Sequence, residues 1–201
     1  MAFYHPLIIE KSFKILKDLQ RKYHFILIGG WAVFFYTQAL KSKDIDLVLE
    51  YDELEKFSQE FLISKNQRLR KYEAKIEEID IDIYLPYYSN PGLPAEELKK
   101  YTVQREGFTL PSLEVLLILK QNVYQQRKDS LKGRKDKIDI FSLLQLGEID
   151  WKLYQKILKD YNLEGFRDEL ISLLNSTLEV KEIKLNRHKL AKLKKEILKK
   201  L

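Results

Sequence analysis

The chain has 201 residues, 45% of them hydrophobic and 33% charged, which is enough for one large domain or two small ones with a true core. It contains no cysteine, so disulfides and thiolate-bound zinc or iron–sulfur centres are excluded. The net charge of +6 is uneven: Lys181 to Leu201 holds nine Lys/Arg against two Asp/Glu, while everything before it sums to −1. No run approaches the length of a membrane span. The start, Met1-Ala2-Phe3-Tyr4-His5-Pro6, lacks the basic-then-apolar layout of a signal peptide. A cytoplasmic protein without a membrane partner is therefore expected.

In chain order, apolar residues at Ile8, Ile9, Phe13, Ile15, Leu16 and Leu19 predict a helix to about Tyr23. A short strand, Phe25 to Ile28, runs into Gly29-Gly30, and Trp31 to Leu40 reads as a buried helix. Asp44 to Glu50 alternates as a strand, and Asp52 is placed to cap a helix over Glu53 to Phe61. Glu73 to Leu85 reads as one or two strands, followed by a loop from Pro86 to Pro94. Beyond Leu110 the pattern turns helical, with Ser112 as the expected N-cap of Leu113–Arg127. Helices are then expected over Lys135–Leu144, Trp151–Tyr161, Gly165–Leu178 and Leu185–Leu201. These elements predict an α/β (α+β) chain: a mixed sheet flanked by helices over residues 1–110, then a helical domain over 111–201.

The chemistry lies in the acidic strands. In an extended chain Asp44 and Asp46 share one face, roughly 7 Å apart, with Ile45 and Leu47 on the other. Asp80, Asp82 and Tyr84 share a face in the same way. Pairing of the two strands would crowd several carboxylates, and like charges that close repel. A hard divalent cation relieves that repulsion, and Mg²⁺ prefers one or two carboxylates plus substrate phosphates. Gly29-Gly30, between a strand and a helix, would let backbone N–H groups approach phosphate oxygens at a positive helix end.

Leu27-Ile28-Gly29-Gly30, then thirteen residues, then Asp44-Ile45-Asp46-Leu47 resembles the signature of the DNA polymerase β-like nucleotidyltransferase superfamily. With Lys41 and Lys43 before the acidic pair, Leu113 to Lys120, and the later Arg134-Lys135-Asp136 and Ile138-Asp139-Ile140, the chain is most similar to the AbiEii toxin (MenT-like) branch. The resemblance covers about Phe25 to Leu144. It implies a nucleotidyltransferase sheet with a helical C-terminal part, an NTP substrate and Mg²⁺ or Mn²⁺. It also implies metal and catalytic roles for Asp44, Asp46 and Asp82, with Asp80 as the alternative third acid. Nucleotide contacts would come from Gly29, Gly30, Lys43 and Lys120. The reaction implied moves a nucleotidyl group to an acceptor hydroxyl and releases pyrophosphate.

Each motif also has a plainer reading. A glycine pair is commonly a tight turn, an alternating acidic strand a solvated face, and Lys120 a lysine snorkelling from a buried stem. Lys135, Asp136 and Asp139 read first as a self-supporting helix. Tyr84, Tyr87 and Tyr88 read as packing residues before base-stacking ones. His5, His24 and His188 have no metal-ligand spacing. The last helix pairs an apolar stripe, Leu190, Leu193, Ile197 and Leu201, with Lys189, Lys192, Lys194, Lys195, Lys199 and Lys200. That is an amphipathic packing helix or an electrostatic guide for RNA or DNA, and it tilts the acceptor toward RNA, such as a tRNA 3′ end. The other function classes are a non-catalytic, antitoxin-like binding scaffold or a partner of an antitoxin, and a metal nuclease. The nuclease is disfavoured because Ile83-Tyr84 follows Asp82 where such sites commonly carry a lysine.

Overall fold

The computed structural model describes residues 5–201, so the reading of residues 1–4 lies outside the described residues. The chain divides into two compact units, one running to Ser112 and one spanning Leu113–Leu201.

The first unit is built on a seven-stranded mixed sheet. Helix α1 (Pro6–Lys22) starts with proline at a position where a missing N–H costs nothing, and it buries Ile9, Ile15, Leu16 and Leu19. Strand β1 (Ile26–Ile28) leads directly into α2 (Gly29–Thr37), so both glycines lie inside the helix's first turn. Then follow β2 (Ile45–Val48), α3 (Tyr51–Glu60), β3 (Ile63–Asn66), β4 (Lys71–Ile76) and β5 (Ile79–Tyr84). A 3₁₀ turn, Ala95–Tyr101, precedes β6 (Thr102–Arg105) and β7 (Phe108–Pro111). The strand order is β3-β4-β5-β2-β1-β7-β6. The β2–β5 and β1–β7 pairs are parallel and the other pairs antiparallel. One face carries Ile45, Leu47, Ile81, Ile83 and Ala74, all buried. Helix α2 is locked in place by Trp31, whose Nε1 donates to Ser12 Oγ at 2.9 Å, and by Tyr36, whose hydroxyl donates to the Pro111 carbonyl at 2.7 Å.

Two expectations are corrected here. Glu50 holds the N-cap position of α3, and Asp52 sits inside the first turn, where its charge still favours the helix dipole. The hydroxyl of Ser112 is buried and accepts no hydrogen bond, so it does not cap the helix that follows.

The second unit is helical: α4 (Leu113–Arg127), α5 (Leu131–Leu146), α6 (Trp151–Asp160), α7 (Gly165–Ser176) and α8 (Arg187–Leu198), with a 3₁₀ turn at Lys181–Ile183. Helix α4 is buried without a break from Leu113 to Gln121, so it forms the axis of the unit. The α4–α5 turn is tight enough that a Cβ on Gly133 would overlap the Arg127 carbonyl, and Ser130 caps α5 through the Gly133 N–H. In α8 only Leu190 and Ile197 are fully buried, and Asn186 supplies the cap. Lys194 belongs to packing and not to the outer face, because its ammonium donates to the Thr177 carbonyl at 2.6 Å at the end of α7. Among the described residues no helix is long and apolar enough to cross a membrane.

Candidate active site

The sheet register assembles the site. Ile28 of β1 lies opposite Asp46 of β2, Asp46 opposite Asp82 of β5, and Asp82 opposite Glu73 of β4. One row across four central strands thus reads Ile28, Asp46, Asp82, Glu73. Residues in such a row project to the same face, so the acids stand side by side, opposite the isoleucine-rich face. Asp44 lies two residues before Asp46 and, like it, is half-buried.

Gly29 fixes how the row meets α2. Its φ of +69° is in the region glycine tolerates, and a Cβ there would overlap the Asp46 carboxylate. The carboxylate therefore packs directly on the first turn of α2, where the helix's N–H groups favour an anion. Gly30 is buried in the same turn, and Lys43, half-exposed, immediately precedes Asp44.

The two candidates for a third acid have different surroundings. Asp80 is exposed and faces Lys75 across β4–β5, with 3.9 Å between ammonium and carboxylate. Asp82 is next to Asp46 and retains only 25% of its side-chain exposure. Burial pushes the Asp82 carboxyl above its ordinary pKa. Lys71 pulls in the opposite direction without overcoming burial, and the charges of Glu73 and Asp44 add to the rise.

Lys71 and Glu73 are the residues that the sequence reading missed. The Lys71 ammonium lies 2.6 Å from Asp82 and 3.0 Å from Glu73, with 11% of the side chain exposed. Burial works against its charge, but the two carboxylates outweigh burial and raise its pKa above the ordinary lysine value. Glu73 is held below the usual carboxylate range by Lys71, and next by a hydrogen bond from Asn66. The available signal was period-two alternation: Lys71 and Glu73 on one face, Tyr72, Ala74 and Ile76 on the other. Opening the strand at Glu73 left Lys71 outside it.

Oxygen donors on Asp44, Asp46 and Asp82 are the right chemistry for a hard divalent cation, and burial, with smaller contributions from the Glu73 and Asp44 charges, raises the Asp82 pKa. Among the described residues, however, no three acidic or histidine side chains are drawn together into a formed metal site. The Lys71 ammonium holds Asp82 instead.

Lys120 has different surroundings. Within the helical unit its ammonium lies 2.7 Å from Asp139 and 3.7 Å from Asp136, and all three residues are buried. Arg127 clamps Asp136 through two hydrogen bonds of 2.7 and 3.0 Å. The Asp139 contact is an ion pair without hydrogen-bond alignment, so both Asp139 oxygens lack a hydrogen-bond partner. Lys135 is likewise buried. Of the tyrosines, Tyr87 is exposed, whereas Tyr88 packs edge-on against Tyr72 beneath Lys65.

No family model matches the chain, and no curated protein matches it in sequence. Among solved structures it is similar to JHP933 from Helicobacter pylori, at 17% identity and a TM-score of 0.53, covering 100% of this chain and 95% of that one. It is also similar to ANT(2")-Ia, solved in complex with adenylyl-2"-tobramycin, at 15% identity and a TM-score of 0.50, covering 81% of this chain and 98% of that one. The chain has the nucleotidyltransferase fold. At these identities the likeness speaks for the fold, and within that fold the acidic row lies on β2 and β5 beside the Gly29-Gly30 turn.

Proposed function

We propose that this protein is a divalent-metal-dependent nucleotidyltransferase of the AbiEii-like branch, and that the sheet unit is its catalytic domain. The observation that carries this reading is the register that sets Asp46 beside Asp82 while Gly29 seats the Asp46 carboxylate on the start of α2. Asp44, Asp46 and Asp82 would hold Mg²⁺ or Mn²⁺, which when bound supplies charge neutralisation at the triphosphate. The Gly29-Gly30 turn and Lys43 would receive phosphate oxygens. Asp82, whose burial raises its proton affinity, is suited to take the proton from the acceptor hydroxyl. The acceptor oxygen would bond to the α-phosphorus as the bond to the β-phosphate oxygen breaks, releasing pyrophosphate.

Lys120, whose ammonium lies 2.7 Å from Asp139 within the helical unit, would add a contact to nucleotide phosphate. RNA is the proposed acceptor class, with a tRNA 3′ end as the first to try. Its support is the exposed basic face of α8, at Lys189, Lys192 and Lys195, with Lys199 at the cap just beyond it. A cytoplasmic setting and an antitoxin partner belong to the same branch-level reading.

The test is incubation with Mg²⁺, each labelled NTP in turn and total RNA, beside Asp44→Ala/Asp46→Ala. Label transfer should fall about a thousandfold in the double variant, as expected when a metal's several kcal/mol of charge stabilisation is lost. Equal labelling by both proteins, or by neither, would overturn the reading. RNA shortening that depends on Asp44 would point to a nuclease.

A further inference from the structure

Lys71 is a buried ammonium in the middle of the carboxylate row. It opens β4, lies on the Asp82 face, and reaches diagonally to that residue while also touching Glu73. Glu73 is in turn steadied by a 2.9 Å hydrogen bond from Asn66 Nδ2. With Asp44 and Asp46 alongside, Lys71 is, among the described residues, the cation paired with the third acid.

We propose that Lys71 is an internal counter-cation that competes with a divalent metal ion for Asp82 and thereby sets the metal concentration at which the site loads. This rests on the metal-dependent reading given above. Three features support it. A unit positive charge within hydrogen-bonding distance of Asp82 opposes a divalent ion twice as strongly as it would a monovalent one. The lysine stem is flexible and its ammonium carries no fixed fork, so it can leave one carboxylate for another. The other carboxylate is already in place, since Glu73 lies 3.0 Å from the same ammonium. Lys71 thus offsets part of the negative charge of a crowded row of acids before loading and can retire to Glu73 on loading.

The experiment measures Mn²⁺ binding by electron paramagnetic resonance on the full chain at fixed pH. The proteins are wild type, Lys71→Met, Lys71→Gln, Lys71→Arg and Asp46→Asn, each with a melting curve. Removing the charge should tighten Mn²⁺ binding about tenfold, whereas Lys71→Arg, which keeps the charge, should stay near wild type. Lys71→Gln keeps a donor for Asp82 without the charge, so it serves as the neutral variant if Lys71→Met fails to fold. Wild-type or weaker Mn²⁺ affinity in a folded neutral variant would overturn the proposal while leaving the metal reading intact. If wild type binds Mn²⁺ no better than Asp46→Asn, the metal reading fails first and the role of Lys71 falls with it.

Discussion

The protein contains two clusters in which a lysine is set between two acids, and they differ in what surrounds them. In the sheet unit Lys71 lies between Asp82 and Glu73, and those acids retain 25% and 38% of their side-chain exposure. In the helical unit Lys120 lies between Asp136 and Asp139, which retain 1% or less, and Arg127 adds a second cation. The residue types are the same and the physics differs. Carboxylates that stay partly wet are re-solvated when their cation moves, even though Lys71 itself is buried, whereas fully buried carboxylates stripped of their cation face the full desolvation penalty. The first arrangement suits a site that must bind and release charged ligands. The second suits a joint between α4 and α5.

The largest expected effect tests that contrast directly. Lys120→Met should destabilise the protein by about 3–5 kcal/mol in urea unfolding, because it leaves a buried carboxylate uncompensated. Lys120→Met combined with Asp139→Leu should recover most of the loss, since a well-packed apolar pair can replace a buried ion pair. Lys71→Met should cost distinctly less in the same assay. Equal losses for the two lysines would remove the distinction between the clusters.

Next in size is Gly29→Ala. The left-handed backbone costs a residue with a Cβ about 1–2 kcal/mol, and here the added carbon also displaces the Asp46 carboxylate. Transfer activity should fall about a hundredfold, the scale expected when reacting groups are misplaced by an ångström or so. The loss of stability should be smaller than for Lys120→Met. Near-normal turnover in the alanine variant would show that Asp46 need not be held against α2.

How much of this was legible follows from the range of the interactions. The acidic alternation of Asp44-Ile45-Asp46 and Asp80-Ile81-Asp82 specified strands and their faces, because side-chain period is a local property. It could not say whether Asp80 or Asp82 neighbours Asp46, since the two point the same way and the choice is one of register between distant strands. β3 (Ile63–Asn66), β6 and β7 went unread for a related reason. These short strands alternate weakly, and β3 and β6 are the edges of the sheet, where one side lacks a partner. The Gly29-Gly30 turn was legible as a strand-to-helix junction, but its packing on Asp46 depends on residues seventeen positions apart meeting across β1 and β2. In the helical unit apolar spacing located every α-helix. Ends moved where a capping side chain decided them, as with Ser130 for α5 and Asn186 for α8. Lys120 within an apolar helix showed that a charge was buried. Its partners on α5 appear only when α4 and α5 pack.

A third carboxylate stands between the two extremes and gives the smallest effect. Glu53, in the first turn of α3, retains 7% of its side-chain exposure, yet its ion-pair partner Lys56 is well exposed at 58%. Burial alone would raise the Glu53 pKa. Hydrogen bonds from Lys56 and from the backbone N–H and ring of His24 outweigh burial and hold it below the ordinary value. The sign follows from linkage. A carboxyl with a depressed folded-state pKa stabilises the protein fully above its unfolded value, about 4.3, and that contribution disappears as pH falls through the folded-state value. Glu53→Gln should therefore lower the melting temperature modestly at neutral pH and converge with wild type as pH falls below about 4, which flattens the acid limb of the profile. Because Lys56 is solvated, the change should be smaller than either effect above. An unchanged acid limb in Glu53→Gln would mean that burial of the acid alone, without burial of its cation, is too little to make a pair matter. That would sharpen the contrast between the Lys71 and Lys120 clusters into a requirement that both partners be buried.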